Sequence, residues 1–211
     1  MITALMPIEI RAAAADEVPK VAAALADAMI TDPVFTFLRP GRWRREARLR
    51  TMFAVEIEQY VLANGGTVWT TPRYDGAVAE LPPDGWEMRK SMTGREALRW
   101  MWAFGARFRR AIRVERAMEQ RHLREPHFYV RTVGVRTALQ GKGVGTALMQ
   151  PTLGRADSAG LPAYIEASTE RSAALYERLG FMHLGVYELP EGGPPVWPMR
   201  RPPAVARDGH A

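Results

Sequence analysis

Three glycines alternate with other residues in the middle of the chain, at Gly141, Gly143 and Gly145. They follow residues 127–135, which are rich in β-branched and aromatic side chains and predict a strand. The residues after the glycines predict a helix, so the loop would leave consecutive backbone N–H groups free at a helix N-terminus. Free N–H groups at the positive end of a helix dipole suit a pyrophosphate. We therefore expect an anion-binding turn here.

Two common phosphate-binding motifs do not fit this turn. The nucleoside-triphosphate loop requires Gly-Lys-Ser or Gly-Lys-Thr, yet Lys142 is followed by Gly143. The dinucleotide fingerprint G-x-G-x-x-G fails because Thr146 stands at its third glycine position. The diphosphate ligand must therefore belong to another class.

Two motifs resemble those of a known family and follow one another in the same order as in that family. Residues 140–145, with the sequence QGKGVG, match the pattern Q/R-x-x-G-x-G/A, and residues 173–181, AALYERLGF, resemble a LYExLGF box. The chain thus resembles the GCN5-related N-acetyltransferase (GNAT) superfamily. Over roughly two thirds of its length it is most similar to the puromycin N-acetyltransferase-like actinobacterial members, whereas residues 81–124 match poorly.

The resemblance implies a fold and an activity. The fold class is α/β (α+β): a GNAT fold with a twisted mixed, mostly antiparallel central sheet flanked by helices. A single N-acetyltransferase domain would span residues 1–200, and residues 201–211 would form a frayed C-terminal tail. The activity implied is that of an acyltransferase, which moves an acetyl group from acetyl-CoA (coenzyme A) to a primary amine of a small molecule.

The resemblance also assigns site residues. Tyr176 would protonate the leaving thiolate, since a phenol has an ordinary pKa of about 10. Glu166 would take the proton of the amine, with Glu80 and His127 as alternatives and a base acting through water also open. The residues expected to hold the coenzyme are Val133, Gly134, Val135, Gln140, Gly141, Lys142, Gly143, Val144, Gly145, Thr146, Thr169 and Tyr176. The Val135 N–H would face the thioester oxygen. Thr169 stands where the family often has asparagine, so one donor contact differs there.

Arg131 departs from the small or apolar residue usual on the central strand. Strict alternation along the strand would place Tyr129, Arg131 and Val133 on one face. An inward Arg131 would suit an acceptor that carries a carboxylate, and an outward one would be inert. The sequence leaves both possibilities open.

The elements that must position these residues follow from periodicity. Apolar residues at helical spacing between 42 and 61 predict a long amphipathic helix. Its other face carries five arginines, Arg42, Arg44, Arg45, Arg48 and Arg50. This face is either solvated or in contact with a polyanion. Further helices are predicted at 16–29, 95–108, 111–122 and 172–178, and strands at 8–11, 67–71, 77–81, 163–167, 181–187 and 196–199.

Composition excludes several classes of protein. The 211 residues are 47% hydrophobic and 25% charged, which is ordinary for a folded protein. The chain has no cysteine, which excludes disulfides and a thiolate zinc site, and its four histidines make a metal centre unfavourable, so no metal is expected. No apolar stretch reaches the ~18 residues of a membrane span, and charges interrupt the alanine-rich start. A cytoplasmic location is expected.

Two other functions remain as alternatives. The first is a catalytically idle acyl-CoA-binding regulatory protein, which the unusual Thr169 and the uncertain base favour. The second is a basic nucleic-acid binder that uses the arginine helix, although no known nucleic-acid module surrounds it. The preferred partner is a small-molecule amine acceptor, with no nucleic acid and no membrane, for a monomer or homodimer.

Overall fold

The computed structural model describes residues 7–83, 85–86 and 93–204. The helices are α1 (Val18–Ala28), α2 (Pro33–Leu38), α3 (Arg45–Glu56), α4 (Gly94–Phe104), α5 (Phe108–Arg121), α6 (Val144–Ser158) and α7 (Glu170–Arg178). A π-helical turn, Ile57–Val61, continues α3. The strands are β1 (Arg11–Ala12), β2 (Thr67–Thr70), β3 (Gly76–Leu81), β4 (Phe128–Val135), β5 (Ala163–Ala167), β6 (Met182–His183), β7 (Tyr187–Glu188) and β8 (Pro195–Arg201).

The strands form one mixed sheet in the order β1-β2-β3-β4-β5-β8-β6, and β7 also pairs with β8. The pairs are antiparallel except for β4 and β5, which run parallel and are joined through α6. A parallel pair needs such a crossover connection. The predicted fold class, a mostly antiparallel sheet flanked by helices, is confirmed.

Helices cover both faces of the sheet. One apolar cluster joins α1, α2 and α3 to side chains of β2 and β3, with Leu25, Phe53 and Ala79 fully buried. The opposite cluster joins α6 and α7 to β4 and β5, with Leu148 and Ile165 at its centre. The strands therefore alternate their side chains between two helical layers.

Several predicted boundaries shift. The segments 95–108 and 111–122 meet earlier than expected, because α4 ends at Phe104 and Gly105 takes φ 57°. The strand predicted over 181–187 is interrupted: residues 184–186 lie between β6 and β7, and Leu184 and Val186 are exposed there. Arg201, expected in the tail, ends β8 and pairs with Asp157 at 2.6 Å. Residues 205–211 of the predicted tail lie outside the described residues.

Among the described helices, none combines the length and the apolar character that a membrane crossing requires. Within the same residues, no three histidine, aspartate or glutamate side chains come together in a way that could hold a metal ion.

Candidate active site

A β-bulge in β4 opens the sheet at its centre. The register with β3 pairs Ala79 with Thr132 and Glu80 with Val130, so Arg131 is the extra residue. Parallel pairing with β5 ends at Val130, opposite Ile165. Bulges bend a strand and occur beside active sites. From Arg131 onwards, β4 therefore separates from β5 and leaves an edge inside the sheet.

The backbone groups on that edge belong to Val133 and Val135. Arg136 N donates to Asp75 O at 2.8 Å, which shows that the even-numbered residues beyond the bulge bond to β3. In an antiparallel ladder the residues between them point their N–H and C=O groups away from the partner. Val133 and Val135 thus direct these groups to the side on which β5 no longer pairs. Both were predicted to hold the coenzyme, and an extended arm could bond there as an added strand.

Gly134 has a different position from the one predicted. Its backbone pairs with Ala77 in β3, so it does not line the open edge. A side chain there would lie 2.9 Å from both Ala28 Cβ and Leu25 Cδ2 of α1. Gly134 is therefore required for close packing of α1 on the sheet.

The glycine turn leads from this edge into α6. Gly141 and Gly143 have φ of 77° and 81°, and a Cβ on either would meet nothing within 4 Å. These positions need glycine for backbone conformation and not for space. Gly143 is the N-cap of α6 with no side-chain cap, so the first amides of the helix, at residues 144–146, have no helical acceptor. A helix N-terminus with free amides favours an anion.

The turn is fixed to the open edge by side chains. Gln140 Nε2 donates to Val135 O at 3.2 Å, and Lys142 Nζ donates to Ala138 O at 3.1 Å. A Cβ on Gly145 would lie 3.6 Å from Val135 Cγ2. The start of α6 and the end of the open edge thus form one continuous surface.

Tyr176 lies on α7 beside this surface. Its side chain is buried, and its ring packs on Phe181 with the centroids 5.9 Å apart. Burial, and secondarily the charge of Asp32, raises the pKa of Tyr176. No hydrogen bond to its hydroxyl exists among the residues that the structure describes. A phenol that stays protonated can donate a proton, as the assigned role requires.

Asp32 is a residue that the sequence reasoning missed. Its carboxylate accepts from Val34 N at 2.9 Å and Phe35 N at 3.2 Å, which caps α2, and also from the Ser168 hydroxyl after β5. Burial raises the pKa of Asp32. The Asp32-Pro33 pair indicates a helix start, but only the fold brings it to Ser168 and Tyr176.

Thr169 is the N-cap of α7. Its Oγ1 accepts from Ser172 N at 3.1 Å, and Ser172 Oγ lies 3.2 Å from Thr169 N, which forms a capping box at the start of α7. The hydroxyl that would replace the family's asparagine is therefore already bonded within the chain.

Glu166 lies on β5 among three tyrosines. Tyr129 donates to its Oε2 at 2.8 Å, and Tyr164 and Tyr187 donate to its Oε1 at 3.3 Å each. Burial outweighs these hydrogen bonds and raises the pKa of Glu166 from 4.5 to about 7. A carboxylate with a pKa near neutrality can both accept and release a proton at physiological pH.

The Arg131 side chain makes ion pairs and a hydrogen bond within the chain. Its Nη2 lies 2.9 Å from Glu115 Oε2, its Nε lies 3.5 Å from Glu56 Oε1, and its Nη1 donates to Tyr129 OH at 3.3 Å. It shares a face with Tyr129, but the bulge turns Val133 to the opposite face, so strict alternation does not hold along β4. Arg131 faces the Glu166 network with two carboxylate partners of its own.

The two alternative bases are buried elsewhere. Glu80 has no exposed surface and pairs with Arg155 of α6. His127 is also fully buried, with Nδ1 2.7 Å from Glu125 O and Nε2 3.1 Å from His122 Nε2. Burial lowers the pKa of His122 to about 3, so its neutral ring packs against Tyr129 and Tyr164. The histidines thus support the tyrosines that hold Glu166.

The structure therefore groups the predicted residues in two places. The open edge, the glycine turn and Tyr176 form one surface around the end of β4. Glu166 sits in a separate network of tyrosines at the point where β4 and β5 part. Gly134 packs against α1, and Thr169 caps α7.

Comparisons with known proteins show which family this chain is similar to. Residues 69–181 match the model of the Acetyltransferase (GNAT) family. The chain is 26% identical over 184 residues to an uncharacterized N-acetyltransferase of Schizosaccharomyces pombe, covering 80% of this chain and 72% of the other.

Solved structures extend the comparison. The crystal structure described as histone acetyltransferase HPA2 and related acetyltransferase from Corynebacterium glutamicum is 29% identical, with a TM-score of 0.70 over 96% of this chain and 99% of that one. A polyamine N-acetyltransferase of Drosophila melanogaster is 17% identical, with a TM-score of 0.57 over 92% and 99% of the two chains, and is similar in fold. The chain therefore belongs to the GNAT family of acetyltransferases and is an N-acetyltransferase.

Proposed function

We propose that the protein transfers the acetyl group of acetyl-CoA to a primary amine of a small molecule. The observation that carries this proposal is the open edge of β4, which runs directly into the uncapped N-terminus of α6. An extended arm followed by a diphosphate matches the two parts of that surface. When bound, acetyl-CoA supplies an activated acyl group as a thioester.

The chain's own residues would bind the donor at two points. The outward N–H and C=O groups of Val133 and Val135 would bond to the extended arm. The amides of residues 144–146 would bond to the diphosphate, as the dipole of α6 favours. Because Val135 adjoins the glycine turn, the acyl group at the far end of the extended arm would lie nearer the bulge at Arg131 than the Val135 N–H.

Proton transfers at the nitrogen and the sulfur complete the reaction. Glu166 takes a proton from the incoming ammonium group, and its raised pKa of about 7 fits this step. Tyr176 donates its proton to the sulfur of the leaving thiolate. A carbon–nitrogen bond forms and the carbon–sulfur bond breaks. Glu166 then releases its proton to solvent, and the second proton that the nitrogen loses restores the Tyr176 phenol.

The enclosure of Glu166 supports a small acceptor. Three tyrosine hydroxyls and the Arg131 ion pairs surround its carboxylate. We further propose that the chain groups with the puromycin N-acetyltransferase-like members, which the segments 67–72 and 125–129 support. Its poorly matching stretch, 81–124, supplies α4 and α5, and Glu115 of α5 reaches the site network.

The test is thiol release from acetyl-CoA by the full chain with a panel of primary amines. We expect release that depends on the amine, is lost in Glu166→Gln and is retained in the control Glu188→Gln, which changes an exposed carboxylate on β7. If the chain binds coenzyme A but releases no thiol with any small amine, the acceptor class is wrong.

A further inference from the structure

A cleft lined by arginines lies at the N-terminus of α3. It has a volume of about 680 Å³, and its walls include Thr31, Thr36, Arg42, Arg44 and Arg45. Glu46 also lines it, but its carboxylate pairs with Arg50 at 2.5 Å. We call this feature the arginine cleft.

Arg45 is the buried member of the arginine cleft. It is 8% exposed, and its Nη2 donates to the neutral Thr36 hydroxyl at 2.6 Å. Its Nε is buried without a hydrogen-bond partner among the described residues. The carboxylate of Asp32 acts on it electrostatically but already accepts hydrogen bonds from α2 and Ser168. A guanidinium stays charged at any physiological pH, so a positive charge is buried here with little negative charge to balance it.

More arginines converge near Gly105, where Arg48 of α3 meets Arg39. A side-chain carbon on Gly105 would lie 3.5 Å from Arg48 Nη1 and 3.7 Å from Arg39 Nη1. Burial, and then the charges of Arg48 and Arg107, lowers the pKa of Arg39. The Nε atoms of Arg39 and Arg48 are also buried without a partner.

Ion pairing does not neutralise this group. Within the described part of the chain, six arginines around the start of α3 form no salt bridge with a carboxylate: Arg39, Arg42, Arg44, Arg45, Arg48 and Arg107. Arg48 is instead held between the rings of Trp43 and Trp102, 5.1 and 5.2 Å from their centroids. Like charges held together without counterions cost free energy unless an anion joins them.

The helix end adds to the positive potential. The N-cap of α3 is Arg44, whose φ of 49° is left-handed and whose side chain makes no capping hydrogen bond. Arg45 N already donates to Arg42 O at 3.2 Å, but the next amides of the first turn lack intrahelical acceptors, and the N-terminus of a helix is the positive end of its dipole. Cationic side chains such as Arg45 and Arg48 are unfavourable in this turn, whereas an anion is favourable.

We propose that the arginine cleft binds an oxyanion, a phosphate or carboxylate group. Arginine forks bind these groups with two parallel hydrogen bonds, and the helix amides can add others. The oxyanion belongs either to the acceptor or to a free anion. Thr31 in the cleft wall precedes Asp32, which contacts Ser168 and influences Tyr176. This adjacency favours the acceptor, and that part of the proposal rests on the proposed function.

The first experiment measures the oxyanion alone. Inorganic phosphate is titrated by calorimetry into the full chain saturated with coenzyme A, which occupies the glycine turn. We expect Arg45→Gln to raise the dissociation constant at least tenfold, as loss of a charge-assisted bidentate contact predicts. Arg44→Gln, an exposed change that leaves the core intact, should raise it severalfold, and the control Arg73→Gln in an exposed turn should leave it unchanged. Equal constants in all four proteins, or no phosphate binding by the wild type, would overturn the site.

The second experiment identifies the source of the oxyanion. Acetylation of β-alanine is compared with that of propylamine, which lacks the carboxylate, in wild type and Arg44→Gln. If the acceptor carries the group, Arg44→Gln lowers kcat/KM for β-alanine alone and phosphate competes with it. If phosphate binds without competing, the site serves a free anion. If phosphate binds but neither amine nor any other is acetylated, the proposed function fails while the oxyanion site stands.

Discussion

Replacing Glu166 by glutamine removes a carboxyl group whose proton the folded protein holds tightly. Burial raises the pKa of Glu166 from 4.5 to about 7, against the hydrogen bonds of Tyr129 and Tyr164. Glutamine has a similar shape and can still bond to the tyrosine hydroxyls. It cannot take up or release a proton, so the variant separates the effect of titration from that of packing.

The sign and size of the stability change follow from linkage. Because the folded state binds this proton more tightly than the unfolded state, the wild type keeps the associated stability below about pH 4.5 and loses it as the pH rises through about 7. Each pH unit between these values is worth about 1.4 kcal/mol, so the total loss is about 3 kcal/mol. Glu166→Gln does not undergo this loss. A change of this size corresponds to roughly 6–12 °C in Tm for a chain of this length.

The assay is urea unfolding of both proteins at pH 4.5, 6 and 8. The free energy of unfolding of Glu166→Gln, minus that of the wild type, should rise by about 3 kcal/mol from pH 4.5 to pH 8. The same comparison for the exposed Glu188→Gln should be flat. A flat difference for Glu166→Gln would refute the raised pKa and with it the argument for this base.

Glu166→Gln should lower the activity of the enzyme, although it raises the stability of the fold at pH 8. Loss of a general base lowers kcat about 10²- to 10⁴-fold. In the wild type, kcat/KM should rise with pH through an apparent pKa near 7, because Glu166 must lose its proton before it can accept one. Glu166→Gln should lose this rise. A variant that is both more stable at pH 8 and nearly inactive would show that the buried Glu166 carboxylate lowers the stability of the fold but is required for activity.

Three further substitutions test other parts of the structure. Tyr176→Phe should lower kcat about a hundredfold and leave the dissociation constant of coenzyme A unchanged by calorimetry, and equal turnover would exclude the acid role. Gly143→Val should weaken coenzyme A binding at least tenfold. The control Gly160→Val changes another glycine with positive φ, at the far end of α6, and should lower stability alone. The same loss of binding in both variants would contradict the anion-binding role of the glycine turn. Gly134→Ala should destabilise the fold by about 1–3 kcal/mol in urea, because a Cβ would lie 2.9 Å from α1, while Gly154→Ala in open space within α6 should stabilise it by about 1 kcal/mol.

Local sequence determined much of the donor side of the site. Glycine is needed at Gly141 and Gly143 for positive φ, and that requirement depends on the backbone of the turn itself. The strand Phe128–Val135 and the segment Ala163–Ala167 follow from β-branched and aromatic composition, and both lie where periodicity predicted them. The two motifs that resemble the GNAT family are also short and continuous.

The acceptor side depends on contacts between distant parts of the chain. No pattern near Glu166 indicates that tyrosines 37 residues before and 21 residues after it donate to its carboxylate. The extra residue at Arg131 cannot be seen in β4, because a bulge is defined by the register with β3. Asp32 has the sequence of a helix cap and acquires its second partner, Ser168, across 136 residues.

The arginine helix shows the same division. Its spacing predicted one long helix with a basic face, and the helical segment from Arg45 to Val61 agrees. Periodicity could not show that Arg45 is buried while Arg44 and Arg42 are exposed, since this depends on where α2 and the end of α1 pack. The sequence by itself thus determined backbone conformation and side-chain periodicity, which are local properties. Burial, pKa and charge compensation depend on the groups that folding brings within a few ångströms, so only the tertiary structure decided them.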